Sequence, residues 1–117
     1  NLLIMKLIIT DKSHHIYAQV ICETIEAAAQ VRGTGIAKRS PEYICSKMDQ
    51  GDAVIALEDG TFAGFCYIET WDHNKFVANS GLIVHPDFRN QGLAKKIKKM
   101  VLLPPFNFCR CFVLSLS

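Results

Sequence analysis

One stretch of the chain, residues 80–100, limits the folds that the sequence can adopt. Its apolar run Leu82–Val84 predicts the end of a β-strand, and Pro86 predicts where the strand stops, because proline has no backbone N–H for a sheet ladder. From Leu93 onward, apolar residues recur on one face of a 3.6-residue period while lysines occupy the other face. The stretch therefore predicts a strand, a short turn and an amphipathic helix.

The turn between this strand and this helix has a composition that suits an anion. The turn and the first helical residues are Arg89, Asn90, Gln91, Gly92, Leu93, Ala94 and Lys95. Small residues at positions 92 and 94 allow close approach, and the first N–H groups of a helix lack intrahelical partners. They suit an anion such as a pyrophosphate, and the arginine and the lysine add positive charge. An ordinary strand–helix connection without a ligand is the alternative.

The order strand, proline, Arg-x-x-Gly-x-Ala and amphipathic helix resembles the acetyl-coenzyme A-binding motif of the GNAT superfamily of N-acyltransferases. That motif is written (Arg/Gln)-x-x-Gly-x-(Gly/Ala). The resemblance implies that residues 89–95 hold the pyrophosphate of coenzyme A. It also implies that Leu82, Ile83 and Val84 line the pantetheine arm. Acetyl-CoA is then the co-substrate, and no metal is expected.

The rest of the chain follows the element order of that family. Residues 2–9 predict a first strand, residues 10–33 and 40–51 predict two helices, and residues 53–58, 61–71 and 76–85 predict three further strands. Asp59-Gly60 predicts a two-residue hairpin turn. The predicted order is β-α-α-β-β-β-α-β. It is an α/β (α+β) fold with a mixed, mostly antiparallel twisted sheet flanked by helices, as in the GNAT acyl-CoA N-acyltransferase fold.

Local signals refine these elements. Ser40 predicts the N-cap of the second helix, because its hydroxyl can accept a hydrogen bond from a free N–H of the first turn. Gly81 inside the fourth strand predicts a β-bulge. The face of the first helix that packs on the core is predicted to comprise Tyr17, Val20, Ile21, Ala28 and Val31.

The resemblance covers roughly residues 1–103 and implies a single domain, 1–117, that is incomplete at its C-terminus. In GNAT enzymes a tyrosine on a later helix protonates the departing thiolate, and no tyrosine matches that place here. Phe106–Leu116 predicts an apolar edge strand, which is a template for pairing with another chain. A homodimer is therefore a possible assembly.

Many GNAT enzymes carry a carboxylate base midway along the fourth strand, and the corresponding position here is Ala78. Because that strand has no carboxylate, Glu69 on the neighbouring strand and His73 in the next turn are the candidate catalytic bases, acting through water. Solvent-facing surface charges are the alternative for both.

Three cations around the connection between the first two helices are candidates for binding the acceptor. They are Arg32, Lys38 and Arg39, which would meet a substrate carboxylate. A solvated polar connection is the alternative for this segment.

Composition excludes several other function classes. A net charge of +2 is too small to predict nucleic-acid or membrane binding, even with four lysines on the third predicted helix. The five cysteines lack metal-ligand spacing and indicate free thiols in a cytoplasmic protein. The sequence thus predicts an N-acetyltransferase acting on the amine of a small molecule or amino acid. A catalytically inactive domain that only binds coenzyme A or a protein partner is the alternative.

Overall fold

The structure, a computed structural model, describes residues 4–32, 37–71 and 76–101. Its elements are β1 Met5–Ile9, α1 Ala18–Arg32, α2 Pro41–Gln50, β2 Ala53–Glu58, β3 Thr61–Trp71, β4 Phe76–Val84 and α3 Leu93–Val101. Short 3₁₀ turns, Lys12–Tyr17 and Pro86–Phe88, precede α1 and follow β4. The predicted α/β fold and its element order are confirmed through α3. The predicted edge strand Phe106–Leu116 lies outside the described residues, so the association that it implies stays a prediction.

The four strands form one antiparallel sheet in the order β1-β2-β3-β4. The hairpin between β2 and β3 turns at Asp59 and Gly60, as predicted, with φ angles of 51° and 79°. Among the described strands, β4 pairs with β3 alone. No other described strand pairs with its second edge, which ends next to the turn that leads into α3. None of the described helices is long and apolar enough to cross a membrane.

Helices cover both faces of the sheet, and each face has its own apolar core. On one face, α1 and α2 pack on the sheet through Ile21, Ile25, Ile44, Met48, Phe65 and Tyr67. On the other face, α3 packs through Leu93 and Ile97 onto Val54, Ala56, Ala63 and Cys66. This double coverage explains why β2 and β3 are apolar on both sides, since strands buried on two faces lose the usual polar alternation.

Capping residues fix where the helices begin. Asp11 accepts a hydrogen bond from the Ser13 N–H at 2.9 Å and starts the turn that leads into α1. Ser40 Oγ accepts from the Tyr43 N–H at 3.1 Å at the start of α2, which confirms the predicted N-cap. Replacing such a cap by alanine typically costs about 1 kcal/mol.

Two predicted details are wrong. The irregularity in β4 lies at Ala78, because Glu69 faces Asn79 while Thr70 already faces Val77, whereas Gly81 pairs regularly with Tyr67. A bulge whose first residue is near the right-handed helical region needs no glycine, so the sequence carried no signal for it.

Val31 is the second wrong detail, because it is 85% exposed. The stripe of α1 that packs on the core comprises Ala18, Ile21, Ile25 and Ala28. Continuing that spacing of three and four residues leads to position 32 rather than 31. Val31 therefore falls beside the buried stripe.

Candidate functional site

The turn between β4 and α3 is tied to the end of the sheet by side-chain contacts. His85 Nδ1 accepts a hydrogen bond from the Asp87 N–H at 3.2 Å. The ring of buried Phe88 lies 6.2 Å from the His85 ring. Arg89 Nε donates to the Val84 carbonyl at 3.1 Å. The following backbone is thereby held at a fixed position relative to β4.

The backbone after Arg89 is shaped so that its N–H groups stay open. Asn90 and Gly92 have φ angles of 64° and 76°, in the left-handed region that suits asparagine and glycine. Within the described residues, no acceptor bonds the backbone N–H groups of positions 90 through 95. A Cβ added at Gly92 would have no atom within 4 Å, so open space lies in front of this residue. This geometry allows an oxyanion to reach the amides directly.

Positive charge lies directly beside these amides. The first turn of α3 carries the positive end of the helix dipole, Arg89 is half-buried beside it, and Lys95 is exposed on its surface. Leu93 points into the core and anchors the first turn, while Asn90 and Gln91 face solvent. Ala94 is half-buried and adds no bulk. The predicted anion-binding residues are thus brought together in one short segment.

A cavity of about 290 Å3 lies between α1 and this turn. On the side of the turn it is lined by His85, Pro86 and Arg89. On the side of α1 it is lined by Val20, Glu23, Thr24, Ala27, Ala28 and Val31. One wall is therefore largely apolar, and the opposite wall carries the guanidinium.

The predicted pantetheine-lining residues divide between the two faces of the sheet. Ile83 is buried in the core beneath α1 and α2, whereas Leu82 and Val84 pack against the core beneath α3. Their side chains are thus occupied by packing. The backbone edge of β4 is what this segment can present to a ligand.

Two predicted residues from different roles, Arg39 and Glu69, form one contact. Arg39 Nη2 donates to Glu69 Oε1 at 3.0 Å, and Arg39 Nε donates to the Tyr67 hydroxyl at 3.2 Å. The guanidinium carbon also lies 4.8 Å from the centre of the Tyr43 ring. The hydrogen bond that Arg39 donates to the Tyr67 hydroxyl raises the pKa of Arg39, and this effect outweighs desolvation, which lowers it. This guanidinium therefore stays charged.

Of the other predicted site residues, Lys38 makes a separate contact. Lys38 Nζ donates to Glu26 Oε1 at 3.2 Å, and both side chains are exposed. Arg32 ends α1. His73 lies outside the described residues, so its role stays a prediction.

Sequence reasoning missed two contributors to this region. The wall that α1 gives to the cavity was not predicted, although the run Ala27–Ala29 leaves a small-residue surface there. Tyr43 was not predicted either. Its hydroxyl is buried and has no hydrogen-bond partner among the described residues. Burial, followed by the neighbouring Glu69 carboxylate, raises the pKa of Tyr43.

Comparison with protein families identifies the fold. A profile described as the acetyltransferase (GNAT) family matches residues 38–102, more than half of the chain. This chain belongs to the GNAT acetyltransferase family. The match includes α2, β2, β3, β4 and α3, and hence both the open amides and the Arg39–Glu69 pair. No curated protein sequence matches this chain.

Solved structures share the fold of this GNAT domain at low sequence identity. N-acetylglutamate synthase from Neisseria gonorrhoeae, with coenzyme A and N-acetyl-glutamate, has a TM-score of 0.65 at 14% identity; the match covers 87% of this chain and 22% of that one. The diaminobutyrate acetyltransferase EctA from Paenibacillus lautus, with its substrate and coenzyme A, has a TM-score of 0.65 at 16% identity. The match covers 86% of this chain and 57% of that one. The protein yncA from Salmonella typhimurium, with acetyl-CoA, has a TM-score of 0.65 at 16% identity. The match covers 85% of this chain and 61% of that one. This chain therefore spans less than two thirds of each.

Proposed function

We propose that this GNAT domain binds acetyl-CoA at the turn between β4 and α3 and transfers the acetyl group to the amine of a small molecule or amino acid. The observation that carries the proposal is the open backbone of residues 90–95 beside Arg89 and the cavity. Backbone N–H groups at a helix start, together with a guanidinium, match a pyrophosphate in charge and in hydrogen-bond direction.

The binding mode follows from this arrangement. The pyrophosphate would accept hydrogen bonds from the amides and from the Nη groups of Arg89, while Lys95 adds charge at the rim. The pantetheine arm would extend along the edge of β4 that pairs with no other described strand. Known GNAT relatives support this mode in outline, because the three neighbouring structures were solved with coenzyme A or acetyl-CoA bound.

The reaction itself needs little from the protein beyond placement. The amine nitrogen attacks the thioester carbonyl carbon, the carbon–sulfur bond breaks, and the thiolate takes up a proton. Before attack, the acceptor ammonium must lose a proton to a base or to water. Among the residues that the structure describes, Glu69 is our candidate for the base that takes this proton, directly or through a water molecule. Holding both reactants in line supplies much of the remaining rate enhancement.

The acceptor class is supported by the same neighbours. Two of them were solved with N-acetyl-glutamate and L-2,4-diaminobutyric acid, which are amino-acid compounds. A second candidate function is coenzyme binding without transfer. It is favoured by the position of Glu69, whose Oε1 is already engaged by Arg39.

Mass spectrometry of the acceptor separates the two functions. The protein is incubated with acetyl-CoA and a panel of amino acids and simple amines, and acetylated products are counted. This readout avoids thiol reagents, which the five cysteines would consume. We expect at least one acetylated product that is absent without protein. Binding of coenzyme A with no product across the panel would establish the second candidate instead.

A further inference from the structure

A polar cluster lies at the far end of β3 from the coenzyme turn. It comprises Arg39, Glu69, Tyr43 and Tyr67, and we call it the Arg39 cluster. Tyr67 is 1% exposed, whereas the Arg39 and Glu69 side chains are 26% and 34% exposed. The two charges are therefore held on a buried base and still reach solvent.

The Arg39 cluster retains unused hydrogen-bonding capacity. A guanidinium has five N–H donors, and contacts to described residues engage only the Nε donor and one Nη2 donor of Arg39. Glu69 Oε2 accepts no hydrogen bond from a described residue. The buried Tyr43 hydroxyl has no partner among them. This hydroxyl lies beside the Glu69 carboxylate and belongs to the buried base of the cluster, so the groups open to a ligand are those of Arg39 and Glu69.

The charge balance of the cluster indicates which kind of ligand suits the remaining groups of Arg39 and Glu69. The Arg39–Glu69 pair is neutral as a whole, so it has no net attraction for a simple amine cation or a simple carboxylate. It is a dipole with charges 3.0 Å apart. The ammonium and carboxylate of an α-amino acid sit on one carbon, at a similar separation. A zwitterion aligned head to tail would complete a ring of four alternating charges.

The position of the cluster fits an acceptor. Glu69 faces Asn79 of β4, directly beside the irregularity at Ala78. Bulges are over-represented next to active sites. Glu69 lies five positions after Gly64 in β3, and Gly64 faces Val84 at the start of the coenzyme turn. At about 3.3 Å per residue the two sites lie roughly 17 Å apart along the strand, at opposite ends of the β4 edge.

We propose that the Arg39 cluster is an acceptor subsite that selects an α-amino acid through both of its charges. In this arrangement Arg39 binds the carboxylate, and Glu69 binds the ammonium. The inference rests on the proposed function, because a bound amino acid is an acceptor only if the domain transfers an acetyl group. Binding of the amino acid can nevertheless be tested separately from coenzyme binding.

The test is calorimetric titration with three matched ligands, with and without coenzyme A. Each of the twenty standard L-amino acids is first screened by thermal shift, and each one that binds is compared with its carboxamide and with the acid that lacks the amine. We expect at least one amino acid to bind, and both analogues to bind at least about tenfold more weakly, because each loses a charge-assisted pair. No binding by any amino acid, or equal binding by the carboxamide, would overturn the proposal.

Variants separate recognition from a structural role. Arg39→Gln should remove the preference for the amino acid over its carboxamide, and Glu69→Gln should remove the preference over the acid that lacks the amine. Arg39→Lys should restore the first preference only in part, because lysine cannot make both contacts at once. Lys6→Gln and Glu58→Gln, at other parts of the sheet, are the matched controls and should keep both preferences.

The outcomes distinguish this inference from the proposed function. If coenzyme A fails to bind while an amino acid binds with the expected preferences, the proposed function fails and the subsite stands. If coenzyme A binds and the preferences survive in Arg39→Gln and Glu69→Gln, the pair only joins α2 to β3 and the subsite is refuted.

Discussion

Gly64→Ala tests how the helix that supplies the open amides is docked on the sheet. Gly64 lies in β3 beneath α3. A Cβ added there would lie 3.0 Å from Ile97 Cδ1, 3.3 Å from the Ile83 carbonyl oxygen and 3.4 Å from Leu93 Cδ2. The first of these contacts is too short, and the second involves backbone that cannot rotate away. The methyl group must therefore be accommodated by rotation of the Ile97 side chain, or by a shift of α3 and of the β4 backbone of a few tenths of an ångström.

The size of the effect follows from two opposing contributions. Overpacking a core costs about 1–3 kcal/mol. Replacing glycine by alanine returns about 0.4–1 kcal/mol by restricting the unfolded chain. We therefore expect Gly64→Ala to lower the free energy of unfolding by about 1–2 kcal/mol. We also expect weaker coenzyme binding, because Leu93 is the first residue of α3. A displaced Leu93 would move the N–H groups that face the ligand.

Urea denaturation of a double-mutant cycle measures this directly. Ile97→Val removes Cδ1, the atom nearest to the new methyl, and by itself costs about 0.5–1.5 kcal/mol. In the Ile97→Val background, Gly64→Ala should cost clearly less than in the starting protein. Equal costs in the two backgrounds, or a stabilising effect of Gly64→Ala alone, would refute the close packing of α3 on Gly64.

Two further predictions concern charge. Arg89→Ala should weaken coenzyme A binding by about 1–3 kcal/mol at low salt, and titrations at rising ionic strength should show this loss shrinking. A loss that is independent of salt would mean that Arg89 acts only through its bond to Val84. Burial raises the pKa of the Cys66 thiol from 9.0 to about 12. Since the unfolded chain then ionises first, this thiol should lower stability progressively between pH 9 and pH 12, and Cys66→Ala should show a shallower decline in denaturation measurements.

The sequence was sufficient where a feature depends on residues close together in the chain. The hairpin at Asp59 and Gly60 needs positive φ at two neighbouring positions, and the start of α2 needs only Ser40 and the N–H of Tyr43. The coenzyme turn is equally local, because its anion-binding groups all come from one segment between β4 and α3.

Features that join distant segments of the chain could not be predicted from the sequence. Arg39 and Glu69 are thirty residues apart, so their pairing depends on how α2 lies across β3. The irregularity at Ala78 depends on the register between two strands, and Gly81 misled the prediction because glycine often marks bulges. The wall of α1 reaches the cavity only through the packing of the whole helix.

The central claim is that the open amides after β4 hold the pyrophosphate of coenzyme A, and Gly92→Ala tests it most directly. Gly92 and Gly51 have φ angles of 76° and 73°, and a Cβ at either would meet no atom within 4 Å. Alanine at either position therefore carries a similar backbone strain of about 1–2 kcal/mol. Gly51 ends α2, away from the coenzyme turn, so Gly51→Ala is a matched control.

Calorimetric titration of coenzyme A into the starting protein and both variants is the decisive measurement. We predict that Gly92→Ala weakens binding by roughly tenfold to a hundredfold, because the new methyl stands where the phosphate oxygens must reach the amides. Gly51→Ala should bind as tightly as the starting protein. Equal affinity in all three folded proteins, or no binding by the starting protein, would contradict the assignment.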